Sequence, residues 1–377
     1  MKILFVLENH YPNIGGVETL FKNLTESLVK EGHQISVLTN QFSSELKRKE
    51  NLNGVDIIRV PFKNRYLFTF LGFFSAFKYA RKHDLIHTTS YNAGVPAFIA
   101  GILARKKVII TFHEVWSKLW FGLPYMSKPA LWLHYIFEWF LLKLPFFKFV
   151  AVSEYTRQSL IEAGISKQKI SLIYNGIQYG ELLEMKSEIE QELVSESNPQ
   201  FSFLYFGRLG ISKGLDIILD ALEILKAKAP APFILNLVIP SLPKNFHQLI
   251  VKAIQDKNLE DVINIQSDLP WKQLVREILK SDAVIIPSYS EGFCFTAVET
   301  MALGKPIISS GKGALAEVIC GKHIVMSTQD GDGLFKAMTA AIDNKWTTTP
   351  ENKFTLDKSI SGYLEMYESI IKTALPR

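Results

Sequence analysis

A chain of 377 residues exceeds what one ordinary hydrophobic core supports, so two domains are expected. With 47% hydrophobic and 21% charged residues it is not a disordered chain, and two cysteines, Cys294 and Cys320, make neither a disulfide framework nor a metal cluster. The net charge of +5 divides into +10 over residues 1–180 and −5 over residues 181–377; the basic half suits an acidic or membrane-bound partner, and no nucleic-acid module signature accompanies it.

Apolar runs of strand length alternate with helical periodicity along the chain, the pattern of βαβ units and parallel sheets. The first strand, over 2–7, meets Glu8 at once and does not read as a signal peptide. Gly15-Gly16 follows it and opens a helix over 17–30. Two glycines there permit a close backbone approach and positive φ, but not with the Gly-x-Gly-x-x-Gly spacing of a dinucleotide fingerprint. Further strands are expected over 34–39, 57–60, 85–87, 107–111, 149–151 and 170–173. His113 stands just beyond the 107–111 strand, a position that suits a cleft residue, whereas His33 and His87 read as structural. The acidic, polar stretch 179–200 reads as an interdomain linker. No apolar run is free enough of turns and polar residues to read as a transmembrane span.

The second half restarts at Phe201, with strands expected at 203–206, 234–239, 262–265, 283–286, 306–309 and 324–326. Two of these run into loops that carry chemistry. The strand at 203–206 meets Gly207-Arg208-Leu209-Gly210-Ile211-Ser212-Lys213-Gly214. Two cations five residues apart on a glycine-bracketed loop can hold a diphosphate, Arg208 with a planar fork and Lys213 as a point charge. The strand at 283–286 meets Pro287-Ser288-Tyr289-Ser290-Glu291-Gly292-Phe293-Cys294-Phe295 and then an apolar helix over 296–303 that carries Glu299. A helix start of this kind offers backbone N–H groups to an anion. Eight helical residues span about 12 Å, so Glu291 and Glu299 cannot work as a glycosidase pair; they read as clamps on the two ends of an extended ligand. Gly311-x-Gly313 reads as a turn. Asp330-Gly331-Asp332 reads as a helix cap rather than a metal site, and no other group has metal-ligand spacing, so no metal and no cofactor are expected.

The Arg208/Lys213 loop and the Glu291-x7-Glu299 segment, in this order, resemble the GT-B-fold retaining glycosyltransferases of family four, also called group 1 glycosyltransferases. Weaker matches at Gly15-Gly16-Val17-Glu18, 32–39, 84–88, 111–116, Val152-Ser153-Glu154 and Tyr174-Asn175-Gly176-Ile177 extend the resemblance over nearly the whole chain. It departs at Gln178, where an aspartate is usual, and at Cys294, where a glycine is common. The resemblance implies two facing Rossmann-like domains with a cleft between them: an acceptor-side domain over 1–178 and a donor-binding domain over 201–356. A C-terminal helix, 357–377, crosses back to the first domain.

The same resemblance implies transfer of a sugar, with retention, from a nucleotide-diphosphate sugar of the UDP or GDP type to a lipid-linked or glycan acceptor. It assigns Arg208 and Lys213 to the leaving diphosphate, Glu299 to the ribose, and Glu291 to sugar hydroxyls. The N–H groups of Gly292, Phe293, Cys294 and Phe295, with Gly207, would help hold sugar and phosphate. His113, catalytic at the donor sugar and reaction centre, and the donor-binding Gly15-Gly16 loop would come from the other domain. A GT-B-fold sugar-nucleotide epimerase, a non-catalytic sugar-nucleotide module and a membrane-surface protein are the alternatives. Two aromatic segments, 66–79 and 116–149, stand beside Lys78, Arg81, Lys82 and Lys118. They read either as core or as an interfacial surface, and the latter predicts peripheral contact with the cytoplasmic face of a membrane.

Overall fold

The computed structural model describes residues 1–13, 15–62, 64–124, 126–193, 200–228, 231–242 and 244–372. The chain divides into two compact units, one holding Met1–Gly122, Met126–Gly176 and the closing helix, the other Ile177–Thr355.

The first unit runs β1 (Lys2–Val6), α1 (Gly16–Lys30), β2 (Gln34–Asn40), β3 (Lys49–Leu52), β4 (Val55–Val60), α2 (Arg65–Ala80), β5 (Leu85–Thr89), α3 (Gly94–Ala104) and β6 (Lys107–Phe112). A 3-10 turn, Ser117–Gly122, leads to α4 (Lys128–Lys143), β7 (Lys148–Ala151), α5 (Glu154–Glu162) and β8 (Ile170–Leu172). Its eight-stranded sheet has the order β3-β4-β2-β1-β5-β6-β7-β8, parallel except for the edge hairpin β3–β4. Both faces of the sheet are covered by helices, so β1 and β5 are buried almost throughout rather than alternating. On one face α2, α3, α4 and α5 share a single core with Val6, Ile86, Ile110 and Phe149.

The second unit begins with α6 (Tyr179–Leu193), followed by β9 (Phe201–Phe206), α7 (Leu215–Lys228), β10 (Phe233–Ile239), α8 (Lys244–Asp256), β11 (Ile263–Ser267), α9 (Trp271–Lys280) and β12 (Ala283–Ile286). Then come α10 (Phe295–Ala302), β13 (Ile307–Ser309), α11 (Leu315–Val318), β14 (Gly321–Val325), α12 (Gly331–Ile342) and β15 (Thr347–Thr349). The sheet order is β11-β10-β9-β12-β13-β14-β15, with only β15 antiparallel. The last helix, α13 (Leu356–Lys372), belongs to the first unit. There Tyr367 meets His87 Nδ1 through its hydroxyl at 2.5 Å, and Thr111 meets His87 Nε2 at 2.8 Å. Burial lowers the His87 pKa to about 3, so this histidine is a neutral structural group.

The segment 179–200 is not a linker over Tyr179–Leu193. It is a helix of the second unit, α6, with Leu182 and Ile189 buried, and it is tied to α9 by Glu188–Lys272 at 2.8 Å and Glu192–Arg276 at 2.5 Å. Its acidic composition reflects an exposed face complementary to α9, not an unstructured connection. Residues 194–199 of that stretch, and 373–377 of the expected closing segment, lie outside the described residues.

Candidate functional site

In the second unit the chain leaves β9 toward β10 and β11 on one side, then returns to β12 and proceeds to β13 and β14 on the other. The adjacent parallel strands β9 and β12 are therefore the topological switch point, where the loops beyond the carboxyl ends diverge and leave room for a ligand. The two loops singled out by their charges are the loops after β9 and β12.

Several bonds fix them to each other. The Tyr289 N–H donates to the Ser212 carbonyl at 2.8 Å, and the Tyr289 hydroxyl to Asp216 at 2.7 Å. Gly214 has φ +70, and a Cβ there would sit 2.4 Å from the Pro287 carbonyl oxygen, so only glycine lets the end of the cation loop lie against the β12 loop. Across the gap Lys213 Nζ meets Glu291 Oε1 at 2.7 Å, and the Ser288 hydroxyl donates to the same oxygen at 2.7 Å. Arg208 is exposed and, among the described residues, its guanidinium has no hydrogen-bond or ion-pair partner. One cation of the loop is thus neutralised within the protein and the other is uncompensated.

A third loop, after β13, completes the frame. Ser310 donates through its hydroxyl to the Ser288 carbonyl at 2.6 Å, and Ala314 N–H to the Glu291 carbonyl at 2.7 Å. Gly313, with φ +65, lies so close that a Cβ would stand 2.3 Å from that same carbonyl oxygen. Gly313 is thus more than a turn residue: it allows the Glu291 backbone to be gripped from the far side. Gln329 adds a bond from its Nε2 to the Ser288 carbonyl at 2.9 Å.

The β12 loop ends at Cys294, whose φ of 76 and ψ of 83 put a non-glycine residue in the left-handed region as the N-cap of α10. That geometry is the physical meaning of the glycine usual at this position. The first bonds of the helix run from Ala297 and Val298 to the Cys294 carbonyl, so the N–H groups of Phe295 and Thr296 fall outside the helical ladder and face its positive end. The Phe293 ring is buried against Phe295 and Phe354, both centroids at 5.3 Å, which leaves only its backbone for the expected donor contact. Gly292 is buried between Glu291 and Phe293, and Gly207 is the first residue beyond β9, its N–H donating to the Val238 carbonyl.

Glu299 lies in the second turn of α10, half-buried and without a cation or hydrogen-bond donor among the described residues. Burial pushes its carboxyl up to about 7. A carboxyl held in this state costs the free protein energy, and perturbed groups of this type concentrate at functional sites. Tyr205 on β9, which carries no sequence signal beyond an apolar strand, is also buried beside Glu291, and its phenol is raised by burial first and by the Glu291 charge second.

The remaining site residues belong to the first unit. Gly15 caps α1 in an extended conformation, φ 177, and Gly16 is the first helical residue, so neither uses the positive φ that the glycine pair permits. Their contribution is a bare helix start. His113, one residue past β6, is half-buried with its ring edge-on to Phe21 of α1 at 6.0 Å. Asp330 caps α12, accepting from Gly333 N–H at 2.8 Å. Asp332 does not cap; it pairs with Lys336 one turn on. Among the described residues no group of three or more His, Cys, Asp or Glu side chains is placed to hold a metal ion.

Comparison with known proteins sets this geometry in a family. Residues 14–180 match the model described as Glycosyltransferase Family 4, and residues 186–353 match Glycosyl transferases group 1. Alpha-monoglucosyldiacylglycerol synthase from Streptococcus pneumoniae is 25% identical over 85% of this chain and 74% of its own. Sucrose-phosphate synthase from Thermosynechococcus elongatus superposes with a TM-score of 0.80 at 20% identity, over 99% of both chains. Anabaena HepE, solved with UDP and glucose, superposes at 0.73 with 21% identity, over 98% of this chain and all of its own. The fold is GT-B, and the chain belongs to the group 1 glycosyltransferases of family four.

Proposed function

We propose that this glycosyltransferase takes a sugar from a nucleoside diphosphate donor and passes it, with retention at the anomeric carbon and without a metal ion, to a lipid-linked or glycan acceptor at the cytoplasmic face of a membrane. The observation that carries the donor side is the pair of loops at the β9/β12 switch point, where an unpaired Arg208 and the Lys213–Glu291 pair share one edge of the sheet. Arg208 and Lys213 would neutralise the departing diphosphate, charge that develops as the glycosidic bond to phosphate breaks. The free N–H groups at the start of α10 add a fixed positive end. Glu299 would accept from the ribose hydroxyls, and Glu291 would hold sugar hydroxyls. His113 would act at the donor sugar and the reaction centre, and the Gly15-Gly16 helix start would bind the donor.

The family supports retention, and the UDP bound in Anabaena HepE supports a donor of the UDP type. The lipid named in the pneumococcal relative's product supports an acceptor at a membrane. Arg208→Ala and Lys213→Ala should each lower turnover by roughly 10²–10³ while the fold is retained, by analogy with loss of one oxyanion donor. Near-normal turnover in both variants would remove the two cations from the leaving group. Product formed without any acceptor would favour the epimerase instead.

A further inference from the structure

We propose that the outward face of α2 and α4 in the first unit lies on an anionic phospholipid bilayer. This deepens the membrane side of the proposed function and does not depend on the donor-site assignments.

Each helix carries two apolar stripes where a surface helix ordinarily carries one. The inner stripe of α2 is Phe68, Gly72, Ala76 and Ala80, all buried. Its outer stripe is Tyr66, Phe70 and Phe74 at four-residue spacing, with Phe70 67% and Phe74 64% exposed. In α4 the inner residues are Leu131, Leu141 and Leu142. The outer ones include Trp132, Leu133, Ile136 and Trp139, each more than half exposed. The core claims one side of each helix and leaves a second, aromatic side in water.

The two outer stripes share one layer of the unit. Both helices pack on α3, where Gly72 of α2 approaches Pro96 and Gly94 of α3 approaches Leu141 of α4. The rings are also held in place. Phe121 packs on Trp132 at 4.9 Å and on Tyr135 at 5.4 Å, and Trp120 stacks on His134 at 4.8 Å. Glu138, buried on the inner side of α4, accepts from the N–H groups of Trp116 and Ser117, from Trp120 Nε1 and from the Tyr91 hydroxyl. The 3-10 turn is thereby fastened to the helix, and an ordered aromatic surface costs less entropy to bury than a mobile one.

Charge selects the occupant. The two helices and the 3-10 turn carry Arg65, Lys78, Lys118, Lys128 and Lys143, of which Arg65 pairs with Glu8 at 3.2 Å. The one carboxylate among these elements, Glu138, is buried. Neither α2 nor the 3-10 turn carries an acid, and α4 carries only Glu138. A second copy of this chain, docked face to face, would set these cations against themselves; an anionic leaflet complements them. The exposed Trp132, Trp139 and Tyr66 rings suit the headgroup level. No helix of the described residues is long and apolar enough to cross a membrane, so the face would lie in the interface plane.

The test is cosedimentation of the full chain with vesicles of phosphatidylcholine alone and of phosphatidylcholine mixed with phosphatidylglycerol. Tryptophan emission and its quenching by brominated acyl chains are followed in parallel. Binding to the anionic vesicles, weaker at high salt and accompanied by a blue shift and quenching, is expected. Phe70→Ser with Phe74→Ser, or Trp132→Ser with Trp139→Ser, should lower partitioning by about tenfold or more. Because these side chains are exposed and lose at most a ring pair, about 0.5–1.5 kcal/mol, both double variants should still fold and unfold within a few degrees of the wild type.

Arg208→Ala should bind vesicles like the wild type, so loss of the donor-site reading would leave this result standing. Three outcomes would overturn the proposal: no binding to anionic vesicles at low salt, binding without quenching that both double variants retain, or a dimer in sedimentation that the same variants dissociate.

Discussion

Lys213 Nζ and Glu291 Oε1 stand 2.7 Å apart, so in the free protein the lysine proposed to meet a diphosphate is already paired. On the proposed reading the incoming anion takes Lys213 over from Glu291, which then becomes available to the sugar. Removing the competing charge separates the two roles. Glu291→Gln should bind the free nucleoside diphosphate several-fold more tightly, because the competing carboxylate charge beside Lys213 is gone, while turnover falls. Calorimetric titration beside steady-state rates checks this. Weaker diphosphate binding in the variant would mean that Glu291 supports the nucleotide itself.

Glu299 should show a trade between stability and binding. Its carboxyl, raised by burial from 4.5 to about 7, keeps its proton in the folded state over a range where the unfolded chain has lost it. Folding stability therefore falls as pH rises from about 4.5 to about 7 and stays lowered above that. Glu299→Gln removes the penalty, which amounts to no more than about 3 kcal/mol and less in proportion to the access of water. The variant should melt higher than the wild type at pH 8 and match it at pH 4.5, yet bind nucleotide less tightly. Equal melting temperatures at both pH values would show that the carboxyl is not so held.

Cys294 tests backbone strain at the start of α10. With φ of 76, a side chain there costs about 1–2 kcal/mol that glycine avoids. Cys294→Ala and Cys294→Gly lose comparable side-chain packing, so their difference isolates the backbone. The glycine variant should be the more stable by about 1 kcal/mol in denaturant titration.

Tyr367 should prove to be a fastening point for α13. Tyr367→Phe leaves His87 Nδ1 buried without its partner, which costs about 1–3 kcal/mol. The histidine adds acid sensitivity with a defined sign. Its pKa is lowered to about 3, so the unfolded chain takes up a proton below 6.5 that the folded one refuses, and stability falls as pH drops from 6.5 toward 3. Urea titrations of the variant at neutral pH, and of the wild type across that acid range, measure both effects.

Much of this was legible in the residues because parallel sheets buried on both faces write themselves as apolar runs. The central strands β1, β9 and β12 fall where such runs end in charged or glycine-rich loops. The edge strands β3 and β15 were missed: Lys49–Leu52 and Thr347–Thr349 are polar and exposed, and only their antiparallel neighbours make them strands. Helix α6 looked like a linker because it is rich in acid, and two of those acids, Glu188 and Glu192, pair with α9, a partner about eighty residues away in the chain. The roles of Gly214 and Gly313 depend on a backbone crossing from another loop, which no local pattern announces. Tyr205 and Gln329 reach the Glu291 loop only through the sheet order. By contrast, the outward stripes of α2 and α4 could be written down from sequence as apolar, but not as exposed; the inner stripe had to be seen filling the core first.

The central claim is that Arg208 and Lys213 hold a diphosphate without a metal ion. The most direct measurement is a thermal-shift and calorimetric panel of UDP, GDP and ADP, with the corresponding monophosphates and nucleosides, in the presence of EDTA. One diphosphate should bind and raise the melting temperature, a ligand at 100 times its dissociation constant adding roughly 2.7 kcal/mol. Its nucleoside should bind far more weakly, and Arg208→Ala and Lys213→Ala should each lose most of the difference. Binding that appears only when manganese or magnesium is added, or a diphosphate and its nucleoside that bind equally in wild type and both variants, would contradict the account.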